Sequence, residues 1–238
     1  MASMMDTELV TIPCNGVKVE GMLELPSDPV GIVLFAHGSG SSRLSPRNNY
    51  VAAALRQSQI GTLLMDLLTL AEDEDEHLRF NIALLAERLG IAVDWLQKHG
   101  STASLPVALF GASTGAAAAL QVAAARPDDI AAVVSRGGRP DLAGEAVLPK
   151  VIAPTLLIVG GFDLQVIDLN QAAFAALRCE KHLEIVPEAG HLFEEPGKLA
   201  KVSALASAWF IRHMSSPEDD SAGPVKARGV SRAEKRLG

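Results

Sequence analysis

Gly111, Ala112, Ser113, Thr114 and Gly115 follow an apolar run and open an alanine-rich one. A serine between a strand end and a helix start sits in a sharp turn, and glycines two positions either side remove side chains that would clash there. Its hydroxyl is then exposed. The first N–H groups of the following helix point at the same spot, so the Thr114 amide can donate to a developing oxyanion. The chemistry this suggests is nucleophilic attack on an acyl carbon. A chance GxSxG is expected about 0.1 times in a chain of this glycine content, so the placement carries more weight than the pattern. The plain alternative is a glycine-rich turn selected for packing.

A hydroxyl is a poor nucleophile at neutral pH and needs a base together with a group to orient that base. Gly160-Gly161-Phe162-Asp163 ends an apolar run that begins at Thr155, and Glu188-Ala189-Gly190-His191 follows the last such run. In a parallel sheet both turns share the carboxyl edge with Ser113, where such sheets place their sites. Asp141 is a rival for the acid role, but Asp163 stands closer to its strand end. A second small-residue loop, His37-Gly38-Ser39-Gly40, ends the run 30–36, and the Ser39 amide is the candidate second oxyanion donor. The loop lacks both the lysine of a P-loop and a full GxGxxG, which argues against phosphate binding of that kind. His37 reads as structural, and His77, His99, His182 and His213 fall in surface turns or helix ends. Arg43 and Arg47 flank the loop, while Arg136 and Arg139 follow the run 130–135 on the same edge. Each either pairs with a local acid such as Asp141 or holds a carboxylate or phosphate on the substrate; the expectation is that Arg136 or Arg139 does the latter.

Around these residues, short β-branched runs alternate with longer helical patterns, the signature of one α/β domain with a mostly parallel sheet and helices on both faces. Strands are expected at 30–36, 60–67, 105–110, 130–135, 155–159 and 183–186, each a near-continuous apolar run. Helices are expected at 47–58, 78–98, 114–125, 166–177 and 196–213, the last beginning with Pro196. Asn15-Gly16 separates 9–14 from 17–25 and predicts an antiparallel hairpin of edge strands. Too few residues separate 130–135 from 155–159 for a helical lid, which suggests an open cleft. The acidic run 72–76, followed by His77, reads as a solvated loop that favours the next helix N-terminus rather than as a cation site.

The chain has 238 residues, 48% hydrophobic and 21% charged, with a net charge of −7. That composition suits one sizeable core and gives no global attraction to nucleic acid or anionic lipid. Cys14 and Cys179 stand far apart without metal-ligand spacing, so no metal site, cofactor or disulfide framework is expected and a reducing compartment fits. The first ten residues lack a signal-peptide pattern, which points to a cytoplasmic location. The uncharged stretch 100–125 is broken by Pro106, Gly111 and Gly115, and reads as strand, turn and buried helix rather than a membrane span. Residues 1–214 are expected to form the domain, and 215–238, poor in large apolar residues, a flexible tail.

Taken together, the HGSG loop, the GASTG turn, the Asp163 turn and the His191 turn resemble the α/β-hydrolase superfamily, and within it the small dienelactone-hydrolase-like members. The resemblance spans about 30–214. It implies Ser113 as nucleophile, His191 as base and Asp163 as orienting acid, with Ser39 and Thr114 at the oxyanion. Dienelactone hydrolases carry a cysteine nucleophile where this chain has Ser113, which points away from a lactone and toward an ordinary ester or thioester. The expected activity is a serine hydrolase working through an acyl-enzyme on a small-molecule substrate. An acyltransferase on the same triad and a non-catalytic binding module are the alternatives; oligomeric state does not follow from the sequence.

Overall fold

The computed structural model describes residues 5–215; apart from Ser215, the expected tail lies outside them. Asn15 and Gly16 both take positive φ, 43° and 95°, the backbone of a tight two-residue turn. They join β1 (Asp6–Cys14) to β2 (Val17–Leu25), with Cys14 opposite Val17. The other strands are β3 (Ile32–Ala36), β4 (Gly61–Met65), β5 (Val107–Ala112), β6 (Ile130–Arg136), β7 (Thr155–Gly160) and β8 (Lys181–Val186). They form one sheet in the order β1-β2-β4-β3-β5-β6-β7-β8. Only β1 of the hairpin lies at an edge. β2 pairs antiparallel with β4, and β3 to β8 run parallel. At the far edge β8 is largely half-exposed rather than buried, because it has a neighbour on one side alone.

Alternation along each central strand divides the core in two. Ile32, Leu34 and Ala36 pack with α4 (Ile82–Leu96) and α5 (Thr114–Ala125) on one face. Val33 and Phe35 pack with α1 (Pro46–Gln57) and α7 (Lys198–Met214) on the other. Pro46 occupies the first turn of α1, where its missing N–H costs nothing, and the Ser45 side chain caps that helix. The same role does not fall to Pro196, because Gly197 at φ 79° interrupts the chain before α7 begins. α6 (Leu164–Ala176) covers the β7–β8 side. Between β6 and β7 stand two short 3-10 turns, Pro140–Ala143 and Leu148–Lys150, and no lid is inserted. Among the described residues no helix is long and apolar enough to cross a membrane.

The expected helix 78–98 is divided. α2 (Leu70–Asp73) and α3 (Glu76–Arg79) are single turns, and Asn81 starts α4 afresh by accepting from the Leu84 amide. A side chain that can bond its own backbone competes with helix continuation. The acidic run 72–76 is correspondingly more structured than a solvated loop. Asp75 caps α3, and Glu72 closes a capping box with Thr69. Glu72 also takes two hydrogen bonds from Arg88, which hold its carboxyl down to about 2.

A carboxyl held below its ordinary value stabilises the fold above about pH 4.5 and loses that contribution as pH falls through about 2. Glu72→Gln should therefore cost about 2 kcal/mol at pH 7, allowing for partial solvent screening. In urea denaturation the gap to wild type should narrow steadily on acidification below pH 4.5. A gap independent of pH would assign the loss to packing rather than to the charge pair.

Candidate active site

Ser113 lies between β5 and α5 at φ 51° and ψ −119°, a conformation that costs of order 1–3 kcal/mol for a residue with a side chain. Its surroundings fix it there. A Cβ on Gly111 would lie 2.4 Å from Ala116 Cα, and one on Gly115 would lie 2.2 Å from the Ala36 carbonyl oxygen. The first turn of α5 thus presses directly on the ends of β5 and β3. The Ser113 amide donates to the Arg136 carbonyl at 3.2 Å, and the Ser113 carbonyl accepts from the Arg139 amide at 3.1 Å. Ser113 remains half-buried, its backbone held to the end of β6 and to the loop that follows.

Asp163 stands at the N-cap position of α6 and makes no cap hydrogen bond. Its Oδ2 lies 2.6 Å from His191 Nδ1 instead, so the helix forgoes roughly 1 kcal/mol of capping to free this carboxylate. The His191 loop is brought in by a second close crossing. A Cβ on Gly160 would stand 2.4 Å from the carbonyl oxygens of both Ala189 and Gly190. The Phe162 amide donates to Ala189 at 2.9 Å, and the Glu195 carboxylate accepts from the Gly190 amide at 2.9 Å. Asp141, the rival acid, is bound by Arg139 through two hydrogen bonds of 2.9 and 2.7 Å.

Ser113 and His191 both approach the end of β6. A Cβ on Gly137 would be 3.5 Å from Nδ1 and Cε1 of His191, and the Ser113 amide is bonded to the neighbouring residue Arg136. No hydrogen bond joins Ser113 Oγ to the imidazole among the described residues; such contacts commonly tighten when substrate binds.

The HGSG loop is anchored by its histidine. His37 is buried, its Nε2 accepts from the Leu67 amide at 2.9 Å, and Nδ1 donates to the Gly38 carbonyl at 2.9 Å. Burial pushes its pKa down, so the ring is neutral with the proton on Nδ1. Ser39 and Thr114 meet, and the Ser39 amide donates to Thr114 Oγ1 at 2.9 Å. The amide expected to face an oxyanion therefore has a neutral hydroxyl as its partner.

The four arginines separate. Arg43 pairs with both Asp66 and Glu20, tying the loop to β2 and β4. Arg139 is held by Asp141. Arg47 reaches Glu194, three residues past the histidine, at 2.8 Å. Arg136 is buried and makes no side-chain hydrogen bond or ion pair among the described residues. An open cleft of about 610 Å³ beside the loop is bordered by Ser42, Arg43, Leu68, Thr69 and Leu70. Its Leu68–Leu70 wall has no local motif that marks it in the chain. Among the described residues no group of three or more potential ligands could hold a metal.

A dienelactone hydrolase from Anabaena variabilis has the same architecture, with a TM-score of 0.85 and 55% identity over 88% of this chain and 98% of its own. Est1E from Butyrivibrio proteoclasticus, at 15% identity and a TM-score of 0.75 over 87% of this chain and 98% of that one, shares the fold. A Mycobacterium tuberculosis protein named as a phosphoribosyl transferase is 54% identical over 210 residues, 88% of this chain and 47% of that one. The chain thus spans about half the length of the curated relatives it matches. No family model matches it. A mostly parallel eight-stranded sheet with an antiparallel hairpin at its start, shared with these structures, is that of the α/β hydrolases. Identity of 55% along nearly all of the Anabaena protein narrows this, and the chain belongs with the dienelactone-hydrolase-like members.

The crossing of α5 over β3 leaves no room for a methyl group at Gly115, whereas a Cβ on Gly40 (φ 66°) would meet nothing within 4 Å. Gly115→Ala should destabilise the protein by more than about 3 kcal/mol, against about 1 kcal/mol for Gly40→Ala from backbone strain alone. Equal losses in denaturant titration would show that α5 can move away from the sheet.

Proposed function

We propose that this chain is a serine hydrolase of carboxylic esters or thioesters that works through an acyl-enzyme. The observation that carries the reading is the 2.6 Å contact of Asp163 with His191 Nδ1, on the strand edge where the Ser113 elbow stands. With Nδ1–H donated to the carboxylate, Nε2 is left as the base. It takes the Ser113 proton as Oγ bonds to the acyl carbon, and returns it to the departing alcohol or thiol. Water then repeats the sequence on the acyl-enzyme and releases the acid. The carbonyl oxygen, negative in each tetrahedral intermediate, is met by the Thr114 amide at the start of α5 and by the Ser39 amide once the Thr114 hydroxyl turns aside. No cofactor enters these steps.

Hydrolase and esterase neighbours support the reaction type. Phosphoribosyl transfer belongs to the name of a protein of which this chain matches 47%, so that activity has as much chain again in which to reside. An acyl acceptor other than water would use the same first half-reaction.

Ser113→Ala removes one oxygen from a half-buried side chain and leaves no core cavity. It should abolish turnover of short p-nitrophenyl esters and labelling by a fluorophosphonate probe while leaving Tm unchanged. Retained turnover, or a label mapped to another residue, would overturn the assignment. Asp163→Asn should lower kcat by about 10³ or more through loss of the imidazole tautomer and its charge stabilisation. Asp141→Asn should stay within a few-fold of wild type, and the reverse ranking would move the acid to the end of β6.

A further inference from the structure

Two arginines are buried among the described residues, Arg88 at 5% exposure and Arg136 at 7%. Arg88 has a carboxylate, that of Glu72, on its guanidinium. Arg136 has none. Its Nε and Nη1 are buried without a hydrogen-bond partner. Burial first, and then the charge of another cation, Arg47, push its pKa down to about 10. At neutral pH it is still protonated. A chain of net charge −7 has acids to spare, yet none is placed here, and an uncompensated buried cation is among the costliest features a core can carry.

The surroundings add positive potential rather than relieve it. Val134 and Arg136 share the face of β6 that α7 covers, with α1 packed beside α7 in the same layer. Arg47 is in the first turn of α1, which contains no acidic residue, so its charge adds to the positive end of the helix instead of opposing it. Its partner Glu194 is the more exposed member of that pair, and Arg47 Nε is also buried without a partner. The Arg47 charge on Arg136 and the Arg47–Glu194 pair put both guanidiniums between the start of α1 and the loop that carries His191. The Arg136 carbonyl meanwhile accepts the Ser113 amide, and Gly137 abuts the His191 ring.

We propose that Arg136, with Arg47 beside it, binds an anionic group of the substrate, a carboxylate or a phosphate, while the ester is presented to Ser113. This rests on the serine hydrolase reading for its second half and on the charge arrangement for its first. The anion supplies the missing counter-ion, and the planar fork of Arg136 fixes its orientation. Arg43 and Arg139 have no such capacity, since carboxylates already hold them.

The test uses the full chain and three p-nitrophenyl esters, of butyrate, of succinate with its second carboxylate free, and of 3-phosphonopropionate. Wild type should prefer an anionic ester, and the better of the two identifies the group. The ratio of anionic to neutral kcat/KM should fall about 10- to 100-fold in Arg136→Gln, chiefly through KM, less in Arg47→Gln, and not at all in Arg139→Gln. Arg136→Met, which fills the space without charge, should show the same fall with Tm equal to or above wild type. An unchanged ratio in Arg136→Gln, or a lowered Tm in Arg136→Met, overturns the proposal. Calorimetric titration of Ser113→Ala with succinate and with inorganic phosphate separates the two readings. Binding that disappears in Ser113→Ala/Arg136→Gln upholds the anion site even if wild type hydrolyses no ester. Ester hydrolysis with no such binding and an unchanged ratio leaves the hydrolase and removes the anion site.

Discussion

The structure depends on a contact too short for any side chain. The Gly115 Cα and the Ala36 carbonyl are so close that a Cβ would sit 2.2 Å from oxygen. Because α5 descends onto the sheet at this point, Ser113 must be lifted into a positive-φ turn, and the loop leaving β3 must pass beside it. Ser39 and Thr114 become neighbours for the same reason. Gly160 repeats the arrangement at the other end of the site, where the carbonyls of Ala189 and Gly190 lie 2.4 Å from the place of a Cβ. There the consequence is the Asp163–His191 contact. Two backbone crossings, each possible only at a glycine, set the positions from which the side chains reach one another.

Charge is distributed around this frame in two different ways. Away from the serine, cations are neutralised where they are buried: Arg88 by Glu72, and Arg56, at 11% side-chain exposure, by Glu24. His37, which lies under the loop, is kept neutral by burial and by accepting the Leu67 amide. Only beside the elbow does a buried guanidinium stand without a carboxylate among the described residues. Stability alone gives no reason for that departure, since an apolar side chain of similar volume would serve the core better. Strain and uncompensated charge gather where a protein gives up stability for binding or chemistry.

The elements near the site were legible because their signals are local. Asn15-Gly16 sets a turn, β-branched runs set the central strands, and a strand followed by GASTG sets the elbow. Glycine spacing also carried the crossing at Gly111 and Gly115, although not its tightness. Where the deciding partner lies far along the chain, sequence was mute. Arg43, Arg47 and Arg136 look alike in a linear reading, and what separates them is a carboxylate 23 residues away for Asp66, or 147 away for Glu194, or none, whereas the partner of Arg139, Asp141, stands two residues on. Glu72 was lost in an acidic run because its cation stands 16 residues on, across the start of α4. The break at Asn81 and the late start of α7 had local signals of their own, a capping side chain and Gly197, which the strong apolar periodicity around them concealed.

The hydrogen bond from the Ser39 amide to Thr114 Oγ1 bears on how the proposed reaction gains from this frame. An amide held ready for an oxyanion is an unsatisfied donor before the reaction begins, and a partly buried one is costly. The Thr114 hydroxyl removes that cost at 2.9 Å. A substrate carbonyl, also neutral, gains little by displacing it. A tetrahedral oxyanion gains much more, because a hydrogen bond to a full charge is roughly twice as strong as a neutral one. Exchange of partners is then favourable as charge develops and nearly balanced before it does. The donor is spent on the transition state rather than on the bound ester, which is the condition for an interaction to raise kcat.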